Sequence, residues 1–247
     1  MYLTRYLIRA AARSASLCQY QPIITAHPSN SHRSVVSKHL ATSSSTVQGG
    51  RKFLTSFVEE LEKRGFKEGL DIDKQNVFDL FKLDHTFTIN ESKLRREYTN
   101  IQRSIHPDKF VNSDPVTQDR ATNLAMFVNY AYETLKHPYK RARYLLSVKL
   151  NESQDELDKK LDAIKLDDEF LSRMMEMREE VELGSDEILL ARIAGEVEDD
   201  LIALMIAMNK NFKNNETDAL IEQLARLKFL GNLHVKLAER QESFSQF

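Results

Sequence analysis

Cysteine is almost missing from this sequence, and its scarcity excludes several kinds of site. Cys18 is the one cysteine among 247 residues, and it lies near the amino terminus. A disulfide needs two cysteines, and structural zinc sites usually take several of their four ligands from cysteine. No Cys-x-x-Cys pair occurs either, so we expect no metal site and no bound cofactor in this chain.

Acidic residues are missing from the amino-terminal region, where no Asp or Glu precedes Glu59 but seven basic residues occur. Arg5, Arg9 and Arg13 recur along one helical face within a Ser-rich segment. This composition is typical of a mitochondrial transit peptide. We therefore expect residues 1–50 to be a transit peptide or disordered, and the protein to reside in the mitochondrial matrix. A merely disordered basic tail is the alternative.

The rest of the chain is acidic, because removing those seven residues from the 35 basic ones leaves 28 against 37 acidic residues. This is the wrong sign for a nucleic-acid binder. A membrane-spanning helix needs about 20 consecutive apolar residues, and charged residues bound even the richest apolar stretch, 201–208. We therefore expect no nucleic-acid partner and no membrane insertion.

Glycine and proline are also scarce, with 7 and 5 residues, and no strand-like alternation is long enough for a sheet. The spacing of apolar residues predicts an all-α fold in two units. The first, residues 76–146, contains a short apolar helix at 77–81 and then a helical hairpin. Its first helix runs from Glu91 to Ile105 after Asn90 as N-cap, and its second starts at Asp114-Pro115 and ends at His137-Pro138.

Three further amphipathic segments, 167–183, 185–212 and 216–239, predict a carboxy-terminal three-helix bundle within residues 165–240. We interpret the acidic segment 147–164 as a linker and residues 241–247 as a tail. Residues 51–75 form an extension of unknown role.

The turn of the predicted hairpin carries His106-Pro107-Asp108-Lys109. The proline stiffens the loop, so that the imidazole and the carboxylate form a rigid polar probe for another protein. This hairpin with its His-Pro-Asp loop resembles a J-domain. The resemblance implies that the loop docks on an ATP-bound chaperone, together with Arg96 and Arg103, which lie opposite the apolar stripe of the preceding helix. An ordinary solvated face is the alternative interpretation of the two arginines.

An enzymatic interpretation would pair His106 with Asp108 as base and orienting group in a hydrolase. The intervening proline points the two side chains differently, and no nucleophile motif or P-loop is present. We therefore expect this protein not to be an enzyme, and ATP chemistry to belong to its partner.

A second signature, His-Pro-Tyr-Lys-Arg-Ala-Arg-Tyr-Leu-Leu at 137–146, precedes the predicted bundle. Together with segments 167–180 and 227–230, it resembles the HscB-type co-chaperones of iron–sulfur cluster biogenesis, from about Val77 to the carboxy terminus. The resemblance implies that the chain stimulates ATP hydrolysis by a mitochondrial DnaK-type chaperone and delivers the iron–sulfur cluster scaffold protein to it. A general J-protein that delivers unfolded clients is the alternative.

Two apolar residues of the helix that begins at Asp167 lie off its core stripe, namely Leu171 and Met175, with glutamates beside them. On the last helix Phe229 points almost directly away from the core stripe. An exposed phenylalanine indicates a partner, although these side chains could instead widen an internal core. The resemblance implies the same surface, because the family's scaffold-binding positions match Leu171, Met175, Glu176, Glu179 and Phe229.

Two features depart from the family pattern. Ser172 stands where relatives often have a larger apolar residue, which predicts a smaller scaffold interface. The Cys-x-x-Cys element that animal relatives carry ahead of the J-domain is absent, and this supports the expectation of no zinc. His234, on the predicted core stripe, is interpreted as a packed, hydrogen-bonded helix residue.

Overall fold

The computed structural model describes residues 56, 59, 76–184 and 186–244. The predicted transit peptide, most of the extension 51–75 and residues 245–247 of the tail lie outside the described residues. Within the described ranges every regular element is helical, which agrees with the predicted all-α class. The helices are α1 (Val77–Leu80), α2 (Glu91–Ile105), α3 (Pro115–Lys136), α4 (Pro138–Leu150), α5 (Gln154–Ala163), α6 (Asp168–Leu183), α7 (Glu187–Asn214) and α8 (Thr217–Phe244), with a 3₁₀ turn at Pro107–Phe110.

The predicted ends of the hairpin helices are confirmed, and each has a local cause. The side chain of Asn90 accepts a hydrogen bond from the Lys93 N–H (2.9 Å) and begins α2. Asp114 caps α3 by accepting from the Thr117 N–H at 3.2 Å. Prolines stand at the first helical position of α3 and α4, where their missing N–H costs no helical hydrogen bond.

The hairpin packs around one apolar cluster, to which α1, α2 and α3 all contribute. Phe78 and Phe81 from the α1 region are completely enclosed. Tyr98 and Tyr132 remain half-buried and stack on each other, with ring centroids 4.0 Å apart. The apolar stripes predicted for the two helices therefore form their contact.

The carboxy-terminal bundle is organised around α8, which packs against α4, α5, α6 and α7. Asp167, the N-cap of α6, forms an ion pair with Arg226 of α8, whereas the Gly184 carbonyl at the other end of α6 accepts from Arg240 at 3.2 Å. Helices α6 and α8 consequently run parallel and pack on each other, and α7, which connects them in the chain, runs in the opposite direction.

The segment predicted as a linker, 147–164, is mostly helical, and this prediction is corrected. Helix α4 continues to Leu150, and α5 follows with a capping box in which Ser153 and Glu156 bond each other's backbone. Leu157 and Leu161, one turn apart, are buried in the bundle core. The acidic residues that suggested a linker occupy the outer face of this short helix. They dominate the composition of the segment, and for that reason its apolar side was not recognised.

The hairpin and the bundle share part of one core. Phe87, from the loop between α1 and α2, stacks on Phe212 of α7 with ring centroids 5.4 Å apart. Arg141 of α4 donates from Nε to the Phe87 carbonyl (2.7 Å) and from Nη1 to the Leu135 carbonyl. Burial lowers the pKa of Arg141 to about 10, so the guanidinium is still charged at neutral pH.

No helix in the described ranges combines the length and the apolar character that crossing a membrane requires.

Candidate functional site

The His-Pro-Asp loop lies at the turn of the hairpin, in the place that the sequence predicts. The side chains of His106 and Asp108 are 54% and 86% exposed, and Lys109 is exposed beside them. Pro107 begins the 3₁₀ turn, and the Asp108 N–H donates to His106 Nδ1 at 3.4 Å. The backbone therefore holds the ring and the carboxylate outward on a short turn.

Two residues that sequence reasoning missed anchor this loop to α3. Phe110 is buried and packs on Ala121 of α3. Gln118 donates from Nε2 to the carbonyls of Val111 (2.9 Å) and Ser113 (2.8 Å). Phe110 follows directly after the motif and its apolar character was visible, but the reach of Gln118 back across the N-cap of α3 depends on the three-dimensional path of the loop.

Part of the predicted basic strip meets the loop. Arg103, His106, Asp108 and Lys109 line one open groove between α2 and α3. Its remaining lining is polar and aromatic, and there Tyr98 donates to Asn129 Oδ1 at 2.9 Å. Arg96 is exposed two turns earlier on α2, where its Nε lies 3.3 Å from Glu97.

As a catalytic pair, His106 and Asp108 would be poorly placed. His106 Nδ1 lies 3.4 Å from Asp108 Oδ2, but both groups are open to solvent, where such a pair contributes little. Among the described residues, no group of three or more His, Cys, Asp or Glu side chains is arranged to hold a metal ion. The arrangement is suited to contact with another protein surface.

A second surface lies along the seam between α6 and α8. Helical spacing places the predicted residues Leu171 and Met175 on the face of α6 whose Glu182 pairs with Lys236 of α8. Met175 is 64% exposed on α6, whereas Leu171, one turn earlier, is half-buried against the core. Phe229 is 44% exposed on α8 and meets Phe170 of α6 edge to face, with centroids 6.2 Å apart. The seam thus combines exposed apolar area with rigid support.

The predicted orientation of Phe229 needs one correction. The sequence pattern sets it almost opposite the core stripe of α8, but the ring leans over the seam instead of pointing into open solvent. The reason is that α8 is covered on several sides, so its core face is wider than a single stripe. Leu233, one turn after Phe229 and outside the predicted core stripe, is buried.

The charges around the seam are mixed. Glu179 is exposed one turn after Met175. Glu176 is also exposed and lies about 100° from Met175 around the axis of α6. Glu182 hydrogen-bonds with Lys236 of α8 and with Arg178 (3.0 Å), and these two cations lower the pKa of Glu182. The sequence predicts a glutamate rim, but Arg178 and Lys236 also line the groove beside Phe229.

His234 of α8 is partly buried, and burial lowers the pKa of its imidazole against the opposing effect of Glu198 on α7. This agrees with its predicted packed position.

Comparison with known proteins gives the family. Residues 166–238 match the family described as the HSCB C-terminal oligomerisation domain. A co-chaperone protein HscB homolog from Shewanella frigidimarina is 32% identical over 178 residues, which cover 68% of this chain and 97% of the relative. A homolog from Shewanella amazonensis is 29% identical over 175 residues, with 68% and 98% covered.

Solved structures show the same architecture. The chaperone HscB from Vibrio cholerae aligns with a TM-score of 0.57 and 28% identity, over 70% of this chain and 99% of that one. Human co-chaperone HscB aligns with a TM-score of 0.58 and 22% identity, over 68% and 82%, and shares the fold. Because the chain shares this fold and is more than 30% identical to a relative across almost the whole length of that relative, it belongs to the HscB family of co-chaperones.

Proposed function

We propose that this protein is a mitochondrial J-domain co-chaperone that stimulates ATP hydrolysis by a DnaK-type chaperone and delivers an iron–sulfur cluster scaffold protein to it. The observation that carries the proposal is the rigid outward display of His106 and Asp108 on the anchored turn between α2 and α3. A loop fixed before binding loses little conformational entropy when it docks.

The groove beside the loop supports the chaperone half of the proposal. Arg103 and Lys109 bring positive charge to the same opening as His106, and Arg96 extends that charge along α2. A basic strip speeds association with an acidic partner surface and orients it. The ATP chemistry belongs to the chaperone, and this chain contributes a docking surface.

The seam between α6 and α8 supports the scaffold half. Leu171, Met175 and Phe229 offer apolar anchors, and Glu176 and Glu179 lie on the exposed side of α6. Burial of three such anchors contributes about 1.5–3 kcal/mol each before association costs. That is enough for a transient complex, as a protein that hands its client onward requires.

The mitochondrial location rests on the acid-free, Arg-containing amino terminus, because Arg5, Arg9 and Arg13 follow a helical spacing.

The chaperone half is tested with a His106→Gln variant. We expect it to lose stimulation of the chaperone's ATPase activity while keeping its affinity for the scaffold protein, since the seam is on another part of the molecule. His85→Gln is the matched control, because His85 is another exposed histidine of the hairpin and pairs with Asp79 outside the loop. The measurement is steady-state ATP hydrolysis by a mitochondrial DnaK-type chaperone. Full stimulation by His106→Gln would contradict the assignment.

A further inference from the structure

The six methionines of the described residues differ in exposure, and Met205 of α7 is partly buried against the bundle core. Met174, Met177 and Met208 are buried, with at most 6% of their surface accessible. Met126 and Met175 are 57% and 64% exposed. A peroxide in solution can therefore reach the side chain of Met175, one turn after Leu171, whereas packing shields its neighbour Met174.

We propose that Met175 is a redox-sensitive modification site, and that its oxidation to the sulfoxide by hydroperoxides releases the scaffold protein from the α6/α8 seam. This inference rests on the proposed function, because it concerns the regulation of the same surface. The ligand of the site is a small oxidant, hydrogen peroxide or an organic hydroperoxide.

The chemistry is a two-electron oxygen transfer. The thioether sulfur attacks one peroxide oxygen, an S–O bond forms and the O–O bond breaks. The sulfur is oxidised to the sulfoxide, and hydrogen peroxide is reduced to one water, which takes up both protons. No metal or further co-reactant is required, and methionine sulfoxide reductases reverse the change.

The sulfoxide oxygen would be poorly accommodated in a complex at this seam. Its apolar neighbours in the proposed interface, Leu171 and Phe229, carry no hydrogen-bond donor on their side chains, and Glu179 one turn further on is an acceptor. Arg178, one turn after Met175, is directed to the following turn of α6, where its Nε donates to Glu182 at 3.0 Å. Burying a polar oxygen without a donor weakens binding, and we expect a loss of about tenfold in affinity.

Burial makes the change selective. Met174 and Met177 belong to the core of the bundle and are enclosed by it, so mild oxidation leaves the fold intact. Met126, on α3 of the hairpin, is oxidised as readily as Met175 but does not belong to the seam. It therefore provides an internal control for oxidation without an effect on scaffold binding.

The experiment oxidises the full-length chain with graded hydrogen peroxide, measures sulfoxide at each methionine by peptide mass spectrometry, and titrates the protein calorimetrically into a cluster-free iron–sulfur scaffold protein. We expect the dissociation constant to rise about tenfold in step with Met175 oxidation. Met126→Leu should respond like the parent. The affinity of Met175→Leu, whatever its value before treatment, should not change with peroxide, and Met175→Gln should bind more weakly than Met175→Leu without peroxide. Far-ultraviolet circular dichroism establishes that helicity is unchanged.

A parent chain that is fully oxidised at Met175 and binds with unchanged affinity would overturn the inference while leaving the proposed function standing. If peroxide lowered the affinity of Met175→Leu as much as that of the parent, the inference would also be overturned, since the effect would then come from another residue. Failure of the untreated parent to bind the scaffold would contradict the proposed function itself, and with it the switch. Protection of Met175, but not of Met126, from oxidation in the complex would support both.

Discussion

At the scale of single residues, Arg141 of α4 connects the end of α3 to the loop before α2 through buried hydrogen bonds. Its guanidinium is enclosed, donates to the carbonyls of Phe87 and Leu135, and lies over the Phe87 ring, 5.4 Å from the ring centroid. An arginine within a helical segment usually occupies the surface. The sequence motif at 137–146 contains Arg141 without indicating that it is buried, because its two acceptors come from the tertiary fold and could not be predicted locally.

Replacing Arg141 should destabilise the protein strongly. In Arg141→Ala two buried carbonyls lose their donor, and each such loss costs about 1–3 kcal/mol. We expect the free energy of unfolding to fall by about 3 kcal/mol, measured by urea denaturation. Arg95→Ala, on the exposed side of α2, is the control and should change stability by less than about 0.5 kcal/mol. Similar stability of the two variants would show that the buried contacts contribute little.

At the scale of elements, capping residues made the hairpin predictable. Asn90 and Asp114 cap the starts of α2 and α3. Pro107 follows the end of α2 and Pro138 follows the end of α3, so both ends of each helix could be predicted from the sequence. Helix α5 was missed because it has only 10 residues and its acidic outer face dominates its composition. Its apolar side is visible in the sequence only as a pair of leucines.

Helix α5 should contribute to the stability of the whole fold, whereas a linker would contribute nothing. Leu157→Ala removes a side chain that is 0% exposed in the bundle core, and we expect a loss of about 2–5 kcal/mol in the free energy of unfolding. Leu183→Ala is the matched control, because Leu183 is 82% exposed at the end of α6. Denaturant titration followed by circular dichroism separates the two. Equal stability of both variants would be the result expected of a linker.

The contact between α7 and α8 should respond to mild acid through His234. Burial lowers the pKa of its imidazole in the folded protein, with Glu198 acting in the opposite direction. Below the unfolded value of about 6.5, the unfolded chain binds a proton more readily than the folded one. Stability is therefore fully present above that pH and declines as the pH falls from 7.5 to 5.5.

A His234→Gln variant should weaken this dependence. His137 has a pKa lowered in the same direction, so part of the decline should remain. Denaturation midpoints at three pH values between 5.5 and 7.5 measure the effect. Identical pH profiles for parent and variant would exclude His234 as a contributor.

At the scale of the whole molecule, the hairpin and the bundle are joined through a shared core. Phe87 packs on Phe212, and Lys149 of α4 donates to the Phe212 carbonyl at 3.3 Å. Two units and their fold class could be predicted from helical periodicity. Their packing against each other could not, because it depends on a loop phenylalanine that belongs to no periodic pattern. The consequence is that the His-Pro-Asp loop and the α6/α8 seam are parts of one packed structure.

The surface proposed to bind the scaffold protein combines residues that the sequence singles out with residues that it does not. Leu171, Met175 and Phe229 were identified from their positions off the core stripes and from the family resemblance. Phe229 meets α6 at the seam, and helical spacing places the other two on the face of α6 that borders it. The cations beside them, Arg178 and Lys236, come from two different helices, and only the parallel pairing of α6 with α8 brings them together.

The central claim is that this co-chaperone binds an iron–sulfur scaffold protein through that seam. The most direct test is calorimetric titration of the full-length chain into the scaffold protein, beside a triple variant, Leu171→Ala/Met175→Ala/Phe229→Ala, of confirmed helicity. A control triple variant, Met126→Ala/Val148→Ala/Ile206→Ala, removes three exposed apolar side chains elsewhere. We expect saturable binding by the parent and the control, and its loss in the seam variant. Unchanged binding by the seam variant would place the interface elsewhere, and no binding by the parent would leave a J-domain co-chaperone with a different client.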